Sequence, residues 1–172
     1  MRPLSSIALR FVPHEDRLLL TIDAGSACAY GYWLTRRLAL NVIRGANSYL
    51  DRSSSVMSKT PMDLRGELAL MEREIAIAST QEKVSYTSSA AQDNASVTAE
   101  LAAELSISGE PSGFRLKFRG HKGGAAEVRC SRAELQRIIH MLEQEAANAG
   151  WREGLAVTPP SIDGREARRR AH

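Results

Sequence analysis

The stretch from Ser131 to Gly150, SRAELQRIIHMLEQEAANAG, constrains the fold more than any other part of the sequence. Ser131 is suited to an N-cap, and Glu134 stands three residues later, where its carboxylate can reach back to the backbone N–H of the cap. Gly150 is a suitable C-terminal stop. Apolar residues recur at helical spacing on one face, namely Leu135, Ile138, Ile139, Leu142, Ala146 and Ala149. The sequence therefore predicts a sharply bounded amphipathic helix that has to bury its apolar face against another element.

Segments of alternating apolar and polar residues precede this helix and also a second helix in the first half of the chain. The strands predicted in the first half cover residues 5–12, 17–23 and 27–34. A helix follows from Arg36 to about Leu50, with Thr35 as its N-cap. The strands predicted in the second half cover residues 96–108, 114–119 and 126–130. Residues 96–108 also fit a helix, because AELAAEL has a high helix propensity, but the long alternation favours a strand.

A further helix is predicted from Pro61 to about Thr80, with Thr60 as its N-cap. Its apolar residues form one stripe at helical spacing, which comprises Leu64, Leu68, Met71, Ile75 and Ala78. This helix has no counterpart in the second half of the chain, and we expect it to be either a bridge between the two halves or a lid on one side. Residues 81–95 are small and polar, without a sustained period, and are predicted to be a linker.

The order of elements predicts an α+β fold made of two pseudo-repeated, antiparallel three-stranded meander-plus-helix units that share a core, with an extra helix between them. The short loops favour antiparallel neighbours, and two such units can cover each other's apolar sheet face. The corresponding domains are residues 1–80, a linker at 81–95, residues 96–151 and a flexible basic tail at 152–172. The predicted core comprises Ile7, Leu9, Leu18, Leu20, Ile22, Val42, Leu68, Leu105, Leu116, Phe118, Leu135, Ile139 and Leu142.

This element order is similar to that of the single-stranded nucleic-acid binders of the Whirly and PUR type. The likeness lies in the order of strands and helices and not in a motif. Those proteins generally use four strands in each unit, whereas three are predicted in each unit here. The resemblance implies a nucleic-acid-binding function as one hypothesis, although a fold by itself does not fix a function.

Composition and charge are those of an ordinary globular protein. The chain has 23 Lys and Arg against 20 Asp and Glu, so its formal charge is +3. Cys28 and Cys130 both fall in predicted strands, where we expect them to be small buried hydrophobic residues. Such free thiols are suited to a reducing cytoplasm. No window approaches the roughly 20 apolar residues of a membrane helix, and the first residues lack the apolar region of a signal peptide. We therefore expect a cytoplasmic protein with no membrane partner.

No motif in the sequence indicates catalysis, a cofactor or a metal. The histidines are far apart in sequence, at His14, His121, His140 and His172, and no pair has metal-ligand spacing. Ser and Cys residues lack the glycine-flanked setting of an activated nucleophile. The glycine-rich run from His121 to Gly124 joins two strands, so it predicts a hairpin rather than a phosphate loop. We expect a non-enzymatic protein without catalytic residues, cofactor or metal.

Three groups of residues are candidates for binding nucleic acid or a protein partner. One strand face and its turn carry Arg115, Lys117, Arg119 and Lys122. The start of the first helix carries Arg36 and Arg37, next to Trp33. The C-terminal tail carries Arg168, Arg169 and Arg170. Each basic group could contact phosphates, but a solvated or solubilising charged surface accounts for it more simply.

Two functional hypotheses follow. The first is a small soluble binding or adaptor protein that acts through contacts with a protein partner or as a homodimer. The alternative is a single-stranded nucleic-acid-binding protein that uses the basic strand face and the C-terminal arginines. Phe114 and Phe118 point away from that basic face, which argues against base stacking there.

Overall fold

The strands form one mixed sheet in the computed structural model, which describes residues 2–4, 6–23, 30–54, 59–80, 85–87 and 98–151. In chain order the strands are β1 (Arg2–Pro3), β2 (Ser6–Val12), β3 (Arg17–Asp23), β4 (Tyr30–Thr35), β5 (Ser85–Thr87), β6 (Ala99–Glu110), β7 (Gly113–Gly120) and β8 (Ala125–Cys130). The helices are α1 (Arg36–Ser53), which follows β4, α2 (Arg65–Thr80), which precedes β5, and α3 (Arg132–Asn148), which follows β8. The fold is therefore α+β, with six longer strands and very short strands at the two edges.

Two antiparallel meanders lie side by side in this sheet. The strand order is β1-β8-β7-β6-β4-β3-β2-β5, so β2–β4 form one meander and β6–β8 form the other. Strands β4 and β6 join them in parallel, with Tyr32 opposite Glu100 and Trp33 opposite Leu101. The edge strands β1 and β5 also pair in parallel, with β8 and β2 respectively.

Alternation along the strands determines which face of the sheet is buried. In β3, Leu18, Leu20 and Ile22 are buried, and in β7 Phe114, Leu116 and Phe118 are buried. Helices α1 and α3 contact the sheet and each other, and their buried residues join those of the strands in one cluster. The core is consequently a single layer between the sheet and these two helices, while α2 packs mainly on α3.

Helix α3, which follows the second meander, also contacts the first meander. The N–H of Phe11 in β2 donates a hydrogen bond of 2.8 Å to the Glu145 carboxylate of α3. After the helix, Trp151 packs edge-on against Phe11, with ring centroids 5.7 Å apart, and its indole N–H donates to Asp16 at 3.2 Å. Trp151 is 2% exposed, so the end of α3 closes the core over the first hairpin.

The local predictions agree with these elements. Ser131 and Glu134 form the predicted capping box, and Gly150 has the positive φ of 74° that suits a helix stop. The ambiguous segment 96–108 is a strand where it is described, from Ala99 onward. Cys130 is buried, whereas Cys28 lies outside the described residues.

The sheet topology and two local boundaries differ from the predictions. The sheet is mixed rather than purely antiparallel, because the two meanders meet edge to edge through parallel β4 and β6 and do not cover each other's faces. Within the predicted linker, Ser85–Thr87 forms β5 and pairs with β2. The helix predicted from Pro61 begins at Arg65, after a turn. Residues 152–172, the predicted tail, lie outside the described residues.

The predicted core is correct except on α2 and β6. Leu105 is only partly buried, although it packs against the core. Leu68 is also only partly buried and is not part of the core cluster. Helix α2 turns its opposite face, which carries Glu72, Arg73 and Ala76, toward the rest of the protein.

Candidate functional site

The predicted basic strand face lies on the outer side of the sheet and carries carboxylates as well as cations. Arg115 forms ion pairs with Glu110 and, at 3.2 Å, with Glu127. Arg119 lies 2.8 Å from Glu104. Glu110 also pairs with Arg129 at 2.8 Å.

Because of these pairs, positive and negative side chains alternate on the outer face of β6–β8, and the face is not a continuous positive strip. Lys117 is exposed in β7, and Lys122 is exposed in the turn that follows this strand. Because most arginines on this face have a carboxylate within ion-pair distance, the phosphate-attracting potential of the strand is small. Phe114 and Phe118 are buried on the opposite face, as predicted.

Trp33 lies on the outer face of the first meander. Its neighbours Tyr32 and Leu34 point into the core, and Trp33 itself is partly buried. In the sheet register it lies between Leu19 of β3 and Leu101 of β6, both also partly buried. A short apolar row therefore crosses three strands on this face.

Arg36 and Arg37 follow this row at the start of α1. Both are exposed, and within the described residues neither side chain has a hydrogen bond or ion pair. The structure thus places two free cations close in sequence to Trp33. Arg168, Arg169 and Arg170 lie outside the described residues.

The glycine-rich turn between β7 and β8 surrounds a carboxylate that the sequence analysis did not single out. The backbone N–H of Lys122 donates to Glu100 at 2.7 Å. A Cβ atom at Gly120 or at Gly124 would lie 1.9 Å from the Glu100 carboxyl group. A side chain at either position would therefore displace this carboxylate and its hydrogen bond, which joins the turn to β6.

The shifted titratable groups are not activated for catalysis. Burial, reinforced by the Glu100 carboxylate, raises the pKa of Tyr32 to about 12. Burial also raises the pKa of the Cys130 thiol to about 12, with a smaller contribution from Glu134. Burial and the cation of Arg73 lower the pKa of His140. These directions keep the phenol and thiol protonated at neutral pH, the opposite of what an activated nucleophile requires.

One cavity within the core is too small to hold a small-molecule ligand. A cavity of about 20 Å³ lies between the sheet and helices α1 and α3, and its lining is entirely apolar. Typical ligand pockets measure roughly 300–1,000 Å³. A space of this size is a packing void of the core.

Helix α2 is attached to the rest of the protein mainly through polar contacts. The guanidinium of Arg73 donates to Glu143 of α3 at 2.6 and 3.3 Å, and to Asn47 of α1 at 2.9 Å. Asn47 donates in turn to Glu143 at 3.0 Å, which closes the network. Glu72 accepts a hydrogen bond of 3.0 Å from Arg132 of α3. On this side of α2 only small residues are buried, Ala76 and Thr80.

The apolar stripe of α2 consequently faces away from the protein. We call it the α2 patch and define it by Leu64, Leu68, Met71, Ile75 and Ala78. The exposed fractions of Leu64, Met71 and Ile75 are 47%, 58% and 66%. Leu68 is partly buried and Ala78 is exposed. Among the described residues six large hydrophobic side chains are exposed, and three of them belong to this one stripe, so we take the patch as the strongest candidate binding surface of that part of the chain.

No family model, curated protein or solved structure matches this chain. Among the described helices, none is long and apolar enough to cross a membrane. In the same residues, no group of three or more His, Cys, Asp or Glu side chains is placed to hold a metal ion.

The stripe that forms the α2 patch is evident from the sequence, but one of its residues, Leu68, was predicted to lie in the core. The signal that could have corrected this lies on the other side of the helix. There, Glu72 and Arg73 are adjacent in sequence and have long side chains that can reach polar partners, and Ala69, Ala76 and Thr80 are small enough for close helix packing. Two faces of α2 were therefore suited to packing, and the apolar one was not the one used.

Proposed function

We propose that this chain is a small, non-enzymatic binding or adaptor protein that acts through protein–protein contacts, with the α2 patch as its docking surface. A single observation carries the proposal: α2 is held by its polar side and presents its apolar side to solvent. In an isolated domain the opposite orientation would remove more apolar surface from water. A partner that covers the patch accounts for the orientation that is present.

The direction of the pKa shifts supports a binding role over a catalytic one. Tyr32 and Cys130 are protonated at neutral pH, and both belong to the buried core. The buried thiol of Cys130 also fits the reducing cytoplasm that we propose as the location of the protein.

The test compares the wild-type protein with two variants of α2. Met71→Gln/Ile75→Gln makes the patch polar, whereas Leu70→Gln changes a residue that is 62% exposed on the same helix but lies off the stripe. Proteins captured from the native cell extract are quantified for all three, after circular dichroism has verified that each is folded. We expect a set of partners that wild type and Leu70→Gln retain and Met71→Gln/Ile75→Gln loses. An identical set for all three would refute docking through the patch.

A second candidate function is binding of single-stranded nucleic acid on the outer face of the sheet. The observation that favours it is the partly exposed row of Leu19, Trp33 and Leu101, which is close in sequence to the unpaired Arg36 and Arg37. Aromatic groups beside cations are typical of such surfaces. Fluorescence anisotropy with labelled oligonucleotides over a salt series tests it. Binding that weakens steeply with salt and is lost in Trp33→Ala supports it, and absence of binding at low salt removes it.

We further propose that the two meander-plus-helix units are copies of one ancestral unit. Each consists of three antiparallel strands that lead directly into a helix with a hydroxyl N-cap, Thr35 in one and Ser131 in the other. The parallel junction of β4 and β6 fits this proposal, since it gives both units the same direction in the sheet.

A further inference from the structure

We infer that the α2 patch binds an amphipathic helix of a partner protein, and that this helix carries Lys or Arg beside its own apolar stripe. This inference rests on the proposed docking function and adds the chemistry of the partner. Three features of the described residues carry it: the spacing of the patch, the charges that border it and the area it offers.

The spacing of the patch matches one helix packing against another. Its residues are separated alternately by four and three positions from Leu64 to Ala78, which is the heptad spacing of a helix–helix seam. Backbone bonds from Leu64 to Pro61 and from Leu68 to Leu64 extend the helical path back through the turn before α2. At 1.5 Å per residue the seam is roughly 20 Å long. A convex ridge with this period fits the groove between side chains of a second helix.

The free flank of the patch is negative, whereas the flank nearer the protein carries both signs, because the exposed Arg65 lies there and donates to the Thr60 carbonyl. Glu67 and Glu74 are exposed one heptad apart on the free flank of the stripe, and neither side chain has a hydrogen bond or ion pair within the described residues. On the flank nearer the protein, Glu72 is engaged by Arg132. Interfaces pair potentials of opposite sign, so cations on the partner complement the free flank.

The same charges disfavour two other occupants. In a parallel pair of α2 helices, Glu67 would face Glu72 of a second copy, and in an antiparallel pair it would face Glu74 of that copy. Both arrangements place like charges together. A membrane surface is also disfavoured, because the cytoplasmic leaflet is anionic and attracts basic rather than acidic helices.

The area of the patch implies a weak and reversible complex. Met71 and Ile75 are more than half exposed and Leu64 nearly half, so together they leave roughly 200 Å² of apolar surface for a partner, at about 100 Å² per fully buried side chain. Specific interfaces bury about 800 Å² on each side. The contact is therefore smaller than a standard interface, and its charges contribute a larger share of the affinity and specificity.

The test uses three labelled synthetic peptides of three heptads each. All have Leu at the seam positions, and their flanking positions carry Lys, Gln or Glu. Anisotropy titrations are performed with the full-length wild-type protein and with Glu67→Lys/Glu74→Lys, Met71→Gln/Ile75→Gln and Leu70→Gln. Circular dichroism shows that each variant is folded, and sedimentation equilibrium without peptide measures self-association.

We expect the Lys peptide to bind wild type about tenfold more tightly than the Glu peptide, since two exposed ion pairs of ordinary strength amount to about that factor. Glu67→Lys/Glu74→Lys should reverse this order, and high salt should diminish it. Met71→Gln/Ile75→Gln should weaken binding of the Lys peptide at least about tenfold, and Leu70→Gln should leave it unchanged.

The possible failures separate the two proposals. Equal binding of the three peptides, or an order that Glu67→Lys/Glu74→Lys leaves unchanged, overturns the basic partner and leaves docking on the patch intact. Dimerisation that is lost in Met71→Gln/Ile75→Gln identifies a second copy as the occupant and also overturns it. If no peptide binds, the basic-helix inference falls, while the proposed docking function falls only if the captured partners are also insensitive to Met71→Gln/Ile75→Gln.

Discussion

The orientation of α2 can be tested by removing the same side-chain atoms from two helices. Ile75 of α2 and Ile139 of α3 are both interior helical residues, so replacing either by Ala changes the intrinsic helix propensity equally. Their surroundings differ, because Ile75 is 66% exposed and Ile139 is 1% exposed. The pair of variants therefore isolates the effect of burial.

The expected magnitudes follow from these exposures. Ile139→Ala should lower the free energy of unfolding by about 2–5 kcal/mol, because it removes buried methyl groups and leaves a cavity in the core. Ile75→Ala should lower the free energy of unfolding by about 0.7 kcal/mol through lost burial, because only about one third of Ile75 is buried. Alanine's higher helix propensity returns about 0.4 kcal/mol of this loss. The net change for Ile75→Ala should be within about 0.5 kcal/mol of zero.

The assay is urea unfolding at 25 °C, followed by far-ultraviolet circular dichroism. A change in midpoint at constant slope reports the change in stability. A loss of 2 kcal/mol or more for Ile75→Ala would refute the orientation of α2. Its apolar stripe would then face the core, as its periodicity alone predicts, and the α2 patch would not exist as a docking surface.

Other predictions concern the cap, one turn and alkaline pH. Ser131→Ala should lower stability by about 1 kcal/mol in urea unfolding, because the N–H of Glu134 loses its acceptor at the N-terminus of α3. Gly113→Ala should lower it by more than about 1 kcal/mol, since Gly113 has φ 151° and a Cβ there would lie 2.5 Å from the backbone oxygen of Cys130; a wild-type midpoint would contradict that geometry. The pKa of Tyr32 in the folded protein, about 12, lies above its ordinary value of 10.0. The protonated phenol therefore contributes fully to the free energy of unfolding below pH 10, and this contribution is lost as the pH rises to about 12. Urea unfolding at a series of pH values should show this loss, and it should be smaller in Tyr32→Phe.

The parts of the fold that depend on neighbouring residues could be predicted from the sequence. The capping box at Ser131 and the stop at Gly150 define α3 through contacts within a few residues. The strands were recognisable because alternate residues are buried, as in β3 and β7. The parallel junction of β4 and β6 was not predictable, because it pairs Tyr32 with Glu100 across two intervening helices. No local pattern encodes that register.

The candidate site was predictable only in part, for a related reason. Periodicity identified the α2 patch as a stripe, but it could not tell which side of α2 meets the protein. That choice depends on Glu143 and Asn47, which supply partners for Arg73 from two distant helices. Similarly, the arginines of β7 were found as a basic run, while their neutralisation depends on glutamates of the adjacent strands.

The contacts between α3 and β2 have a consequence for how the chain folds during synthesis. Phe11 and Glu145 are 134 residues apart in sequence. At roughly 5–20 residues per second, the ribosome needs on the order of 10 s to make the chain between them. The first meander can pair its strands in that time, but the inner face of β2 has to wait for α3. Nascent chains therefore expose an apolar sheet surface for several seconds, during which chaperones and other nascent chains can compete for it.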